Sequence, residues 1–226
     1  MSNLLEMHPR RYYSQPRDDL RRLVPKDVKR VLEIGCGSGV LGAALKAQGV
    51  EEVVGVELNE AAAEAARRRL DRVILGDVER LSLPFPPSYF DCLIYGDVLE
   101  HLVDPWSLAR KHYPLLRPGG YALASLPNVR HITVLLNLLM GRWPYAPSSR
   151  IFDSSHLRFF TLRESKRLMI GAGYQLIHVS RTYSGSPWLS VALRVASLFI
   201  FRDFFTLDYL ILAKKPSPVA RPHPTT

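Results

Sequence analysis

The chain predicts an α/β fold, a doubly wound and mostly parallel sheet, on three observations. Short β-branched and apolar runs alternate with helical patterns along most of its length. The first run leads into a glycine-rich turn, Gly35-Cys36-Gly37-Ser38-Gly39, that opens a helix. The second run ends on an acid, Glu57. Strands separated by helices are joined by right-handed crossovers and pair in parallel, which places a ligand beyond the strand C-termini near strand 1.

Each element has its own signal. Residues 1–27 read as a leader in which Leu20, Leu23 and Val24 form part of an amphipathic helix, ended near Pro25. Strand 1 is expected over 30–35, helix A over 39–48 and strand 2 over 52–57. Helix B, 59–70, has Asn59 to cap it and alanines that favour helix. Strands 3 and 4 fall at 73–76 and 90–96. Helix D spans 105–115, with Asp104 as N-cap and Pro105 at its first position, and strand 5 runs over 119–126 after Pro118-Gly119-Gly120. A helical insertion, 127–160, separates strand 5 from helix E, 161–172, which Thr161 and Glu164 open as a capping box. Strand 6 follows at 174–183, an aromatic and aliphatic helix at 187–202, and a seventh strand at 205–213. The tail, 216–226, carries four prolines without an apolar pattern and is expected to be disordered.

Bulk properties narrow the function classes. A chain of 226 residues is one ordinary domain. Two cysteines, Cys36 in the glycine loop and Cys92 in a buried strand, are too few for a disulfide framework and poorly placed to pair. With no apolar leader segment and no membrane-length run, a cytoplasmic location is expected. The net charge of +9 raises nucleic acid as a partner. The cations are scattered, however, and the densest cluster, Arg67-Arg68-Arg69 with Arg72, closes a surface helix where it complements the helix dipole. A solvated basic surface is therefore favoured over a nucleic-acid footprint.

Gly37-Ser38-Gly39-Val40-Leu41-Gly42 satisfies the dinucleotide pattern G-x-G-x-x-G, but Glu33 argues against a dinucleotide. A carboxylate at the tip of strand 1 would repel a pyrophosphate seated over the helix N-terminus. It suits an ammonium or sulfonium, while Glu57 offers two acceptor oxygens to a ribose diol. S-adenosylmethionine (SAM) carries both groups.

Five segments in order carry a wider likeness: Glu33 to Gly39, Gly55-Val56-Glu57, Gly76-Asp77-Val78, Phe90 to His101, and Leu116-Arg117-Pro118-Gly119-Gly120. Over residues 28–127 the chain resembles class I SAM-dependent methyltransferases of the small-molecule type. Leu99-Glu100-His101 resembles the ubiquinone-biosynthesis O-methyltransferase group. Leu126 to His131 with His156 to Thr161 resembles bacterial enzymes associated with glycans and secondary metabolites. The resemblance implies a Rossmann-like seven-stranded sheet with an antiparallel last strand, a methyltransferase domain over 28–215, and 127–160 as a substrate lid.

It also implies roles. Glu33 would hold the methionine end of SAM, Gly35, Cys36, Gly37 and Gly39 would let the backbone approach, and Glu57 and Leu58 would take the ribose and adenine. Asp77 and Val78 would read the adenine edge, with a helix N-cap as the alternative for Asp77. Tyr95, Gly96 and Asp97 would line the methyl-transfer region, and Arg17 would clamp the SAM carboxylate. S-adenosylhomocysteine would be the product.

The acceptor side is less defined. Hydroxyl methylation calls for a general base, and His101, His131 and His156 are the candidates, each with a structural alternative. The acids and histidines show no metal-ligand spacing. The stretch 188–205, apolar with Arg194 and Arg202, could pack on the sheet, close a homodimer or lie on a membrane. The favoured function is methyl transfer to a hydroxyl of a small molecule, a metabolite or a glycan- or lipid-linked precursor. RNA or protein methylation and a non-catalytic SAM-binding module stand as alternatives. Tyr95-Gly96-Asp97-Val98, in place of an Asn/Asp-Pro-Pro-aromatic signature, argues against base N-methylation.

Overall fold

A computed structural model of the chain describes residues 12–146, 150–183 and 202–217. Seven strands form one sheet: β1 (Arg30–Ile34), β2 (Glu52–Glu57), β3 (Arg72–Leu75), β4 (Phe90–Gly96), β5 (Leu116–Pro127), β6 (Gln175–Tyr183) and β7 (Thr206–Lys214). Their order is β3-β2-β1-β4-β5-β7-β6. The first five pair in parallel, and β7 runs antiparallel to both β5 and β6, so the expected doubly wound sheet with an antiparallel last strand is present.

The helices are α1 (Asp18–Arg21), α2 (Val40–Ala47), α3 (Glu60–Arg67), α4 (Pro105–His112), α5 (Ile132–Leu139) and α6 (Leu162–Gly171). Their starts follow the capping residues. Asn59 accepts from the Ala62 amide at 2.9 Å and Asp104 from Ser107 at 2.9 Å, with Pro105 in the first turn. At α6 the Thr161 hydroxyl accepts from Glu164 N at 3.4 Å, while the Glu164 carboxylate turns outward to Arg167.

Their ends depart from the expected bounds for local reasons. Helix α3 stops at Arg67 because the Arg69 and Leu70 amides turn back to Ala66 O, which drops Leu70 into the core. Helix α4 stops at His112 because Pro114 has no amide to donate, and a 3-10 turn, Tyr113–Leu115, follows. Strand β5 begins at Leu116, with Pro118-Gly119-Gly120 inside it; the register shift between Phe90 and Cys92 absorbs the irregularity and Gly119 takes φ 75°. The apolar stretch of the insertion forms α5, capped by His131.

Both faces of the sheet are covered. Alternating residues send Leu32, Ile34, Leu93 and Tyr95 into one core and Val31, Cys92, Ile94 and Leu123 into the other. Cys36 and Cys92 are buried free thiols, as their placement in the sequence suggested. The greater part of the helix expected at 187–202, the membrane or dimer surface proposed for 188–205, and the tail from 218 lie outside the described residues. Among the described residues no helix is long and apolar enough to cross a membrane.

Candidate cofactor and acceptor site

The C-terminal ends of β1, β2 and β4, the leader and the insertion enclose a cavity of about 310 Å³. Its floor is the glycine turn. Gly35 and Gly37 have φ of 69° and 54°, and each lies against a neighbour: a Cβ on Gly35 would overlap Val98 Cγ2, and one on Gly37 would come 2.6 Å from the Tyr13 carbonyl oxygen. The Ser38 amide donates to that same Tyr13 oxygen at 2.8 Å, which fixes the leader over the turn.

Two buried acids flank the glycines. Glu57 Oε2 accepts from Gly37 N at 2.8 Å, and its Oε1 accepts from Leu58 N at 2.9 Å and Asn59 N at 2.8 Å. Burial raises its pKa against the opposing pull of those three amides. Glu33 has less support: one backbone amide, that of Gly42, favours its charge, and its Oε2 is buried without a hydrogen-bond partner. Burial, reinforced by the Glu57 charge, pushes its pKa up to about 8. Burial likewise raises the Cys36 thiol, so Cys36 is an apolar wall rather than a nucleophile.

Leu58 stands at the mouth, 42% exposed, and Val78 is buried in the wall. Asp77 Oδ1 accepts from Glu79 N at 3.0 Å and Oδ2 pairs with Arg80 at 3.3 Å, a local turn and not a helix cap. Gly96 and Asp97 complete that side. Arg17 also lines the cavity, but it commits four of its five N–H donors to Asp19, Asp97 and Ser125. Burial opposes its charge, and Asp97 with Asp19 outweighs burial and holds its pKa above the ordinary value.

Two expected cofactor residues are not in the wall. Tyr95 points into the core, fully buried, with its hydroxyl 3.2 Å from His112 Nδ1; side-chain alternation along β4 sends it there. Gly39 caps α2 at φ 77° and allows close approach to α3, where a Cβ would stand 3.2 Å from Ala66 Cα.

The far end of the cavity is polar. A 3-10 turn, Leu99–His101, carries Glu100 and His101 after β4, and the insertion lays Asp153, Ser155 and His156 over it. His101 and His156 meet edge to face with ring centroids 4.7 Å apart. Burial, with the neighbouring His101, lowers the His156 pKa to about 4, so it is neutral at pH 7. Glu100 is 1% exposed and neither carboxyl oxygen has a hydrogen-bond partner; burial and then the Asp97 charge push its pKa well up, which keeps it a neutral acid. The insertion is fastened here through the Leu157 and Arg158 amides, which donate to Glu100 O at 2.8 and 2.9 Å. Arg150 and Asp208, paired at 2.5 Å, close the wall.

His131 does not join His101 and His156. It is the N-cap of α5, its Nδ1 accepting from Thr133 N at 3.3 Å, and it is not among the residues that line the cavity. Ligand atoms of Glu100, His101 and His156 lie within 4.8 Å of one another, a juxtaposition across 55 residues that spacing could not reveal. The sequence reading also missed Tyr13, Val98, Arg150, Asp153 and Asp208 as wall residues. Asp208 had a signal, an acid inside the otherwise apolar β7; the others had none short of the fold itself.

The fold and this site define the class: a Rossmann-like sheet in the methyltransferase arrangement, with an acid-flanked glycine turn. The methyltransferase-domain family profile matches residues 8–179, and the chain belongs to that family. A solved SAM-dependent methyltransferase from Archaeoglobus fulgidus superposes with a TM-score of 0.66 at 23% identity, over 92% of this chain and 95% of that one. A "probable S-adenosylmethionine-dependent methyltransferase" of Mycolicibacterium smegmatis is 38% identical over 98 residues, 43% of this chain and 38% of the relative. The ubiquinone biosynthesis O-methyltransferase of Pseudomonas aeruginosa is 33% identical over 105 residues, 44% of this chain and 45% of the relative. The chain thus spans less than half the length of these curated relatives.

Proposed function

We propose that this protein transfers a methyl group from SAM to a hydroxyl oxygen of a small-molecule acceptor. The observation that carries the reading is Glu33, a buried carboxylate with an orphaned oxygen beside a glycine cradle that a Cβ would fill. That arrangement calls for a cation, and the residues present fit SAM. When bound there, SAM supplies a methyl group activated by its sulfonium.

The chain's own residues do the rest. The Gly35 and Gly37 backbone and Glu33 hold the methionine end, Glu57 takes the ribose hydroxyls, and Asp77, Val78 and Leu58 take the adenine. Arg17 serves mainly to tie the leader to β4 and β5, with one N–H left toward the ligand. At the polar end, the His101 imidazole would accept the proton of the acceptor hydroxyl while the methyl passes from sulfur to oxygen, the C–S bond breaking as the C–O bond forms and S-adenosylhomocysteine leaving as the neutral thioether. His156, neutral and packed on His101, shapes that end. The functional unit is the 28–215 domain with the leader as part of its cofactor wall and 127–160 as its lid.

O-methylation is favoured because a histidine faces the cavity from Leu99-Glu100-His101, a segment that resembles the ubiquinone O-methyltransferase group. Calorimetry with SAM and S-adenosylhomocysteine, followed by S-adenosylhomocysteine release on a panel of sugars, phenols and lipid-linked precursors, tests the proposal. Micromolar SAM binding and turnover on a hydroxyl compound are expected. Absence of SAM binding overturns it, and binding without turnover on any acceptor class reduces the chain to a SAM-binding module.

A further inference from the structure

His101 is not held by its own strand or turn alone. Its Nδ1 lies 3.0 Å from Ser155 Oγ and 3.3 Å from the Ser155 carbonyl oxygen, 54 residues away in the insertion. Ser155 is in turn fixed by Asp153, whose Oδ1 accepts from both Ser155 Oγ at 2.5 Å and Ser155 N at 2.9 Å. Asp153 is 4% exposed and belongs to the segment fastened over Glu100 by the Leu157 and Arg158 amides.

The protons along this chain are determined by what each atom can do. A serine hydroxyl has one proton, and an oxygen 2.5 Å from a carboxylate gives it to the carboxylate. Ser155 Oγ can then only accept from His101. The Ser155 carbonyl oxygen can only accept as well. Both contacts therefore require the proton of neutral His101 to sit on Nδ1, which leaves the lone pair on Nε2. In water the neutral imidazole favours the opposite tautomer, with its proton on Nε2.

The geometry points to Asp153 and Ser155 as positioning residues that set the tautomer of His101, so that the base is complete only while the insertion is seated on the Leu99–His101 turn. This rests on the proposed role of His101 as base. It differs from an Asp–His pair in that a serine hydroxyl relays the orientation, and in that the orienting groups come from the lid rather than from the sheet.

The test is the long-range proton–nitrogen NMR spectrum of the His101 ring in the full chain with S-adenosylhomocysteine at pH 8, assigned with His101→Gln. The wild type is expected in the Nδ1–H form by about tenfold. Ser155→Ala, which leaves only the longer contact to the backbone carbonyl, is expected to shift the balance toward Nε2–H, and Ser155→Thr, which keeps the hydroxyl, to restore Nδ1–H. Asp153→Ala should shift the balance in the same direction as Ser155→Ala. Retained S-adenosylhomocysteine binding verifies folding of each variant, and the Ser155 pair decides the matter if Asp153→Ala does not fold. An Nε2–H wild type, or an Nδ1–H form indifferent to Ser155→Ala, overturns the inference. So does a His101 spectrum that changes on adding millimolar magnesium or zinc, which would make the ring a ligand beside Glu100 and His156. Failure of the wild type to bind S-adenosylhomocysteine instead sinks the underlying functional reading, so the two failures are distinguishable.

Discussion

Arg17 and Asp97 both hold left-handed backbone, at φ 45° and 53°, and their side chains meet as an ion pair on the cavity wall. Aspartate, like asparagine, tolerates this conformation, whereas an arginine adopts it only where its surroundings impose it. Here the pair joins the leader to the end of β4, and Ser125 Oγ bridges it by donating to Asp97 at 2.5 Å while accepting from Arg17 at 2.9 Å. Arg17→Ala is expected to lower stability by about 1–3 kcal/mol, since it strips partners from Asp97, Asp19 and Ser125 together. SAM affinity should fall with it, because the leader is part of the wall. A double-mutant cycle with Asp97→Ala, read by thermal unfolding and calorimetry, should give strong coupling; additive effects would show the pair to be incidental.

Gly35 and Gly37 are adjacent in role but should respond differently to rescue. The obstacle to a Cβ at Gly35 is the Val98 side chain, and the obstacle at Gly37 is the Tyr13 backbone carbonyl. Either glycine to alanine should weaken SAM binding by at least tenfold. Adding Val98→Ala should recover part of the loss for Gly35→Ala, leaving the residual strain of φ 69°. No truncation at Tyr13 should recover Gly37→Ala. Equal rescue of both would place the obstruction elsewhere.

The contrast explains what was legible in the sequence. Elements whose signals are local, such as the caps Asn59 and Asp104 and the alternating β1, β2 and β4, are present with bounds close to those expected. The cofactor wall was legible because its groups sit within a few residues of strand ends, and strand ends converge in this topology. Tyr95 lies in the core because strand alternation sends it there, although its neighbours Gly96 and Asp97 line the cavity. The acceptor end was illegible for a different reason. His101 meets Ser155, Glu100 meets His156, and Arg150 meets Asp208 across 54 to 58 residues, and only the fold brings them together.

Glu33 should make SAM binding depend on pH in a way that S-adenosylhomocysteine binding does not. Its pKa in the folded chain is about 8, against 4.5 ordinarily, so the fold keeps a proton that an unfolded chain loses. The corresponding stability is fully present below pH 4.5 and is lost as pH rises through 8. A sulfonium beside the carboxylate favours its charged form, so SAM binding below that pH releases a proton, whereas a neutral thioether offers no such compensation. The ratio of SAM to S-adenosylhomocysteine affinity should rise about tenfold from pH 6 to 8.5 in the wild type and stay flat in Glu33→Gln. Calorimetry in two buffers of different ionisation enthalpy measures the released proton directly. A flat wild-type ratio would separate Glu33 from the sulfonium of the ligand.

Glu100 offers the complementary case, an acid kept neutral where no ligand cation is needed to explain it. Burial and the Asp97 charge raise its pKa well above the carboxylate range, and its oxygens have no protein partner. Glutamine has nearly the shape of the protonated acid, so Glu100→Gln should fold with stability within about 1 kcal/mol of the wild type below pH 4.5 and exceed it near neutral pH. Glu100→Lys forces a charge into the same space and should fail to fold or unfold far earlier. The sign with pH follows from the raised pKa: the wild type keeps the contribution of neutral Glu100 at low pH and loses it as pH rises through the folded value. Glu100→Gln has no such proton to keep, so urea midpoints should decline less for the variant than for the wild type as pH is raised above 4.5. An identical decline in both would mean that folding does not change the proton affinity of Glu100 and that the alkaline loss of stability arises from Glu33 and the other buried acids.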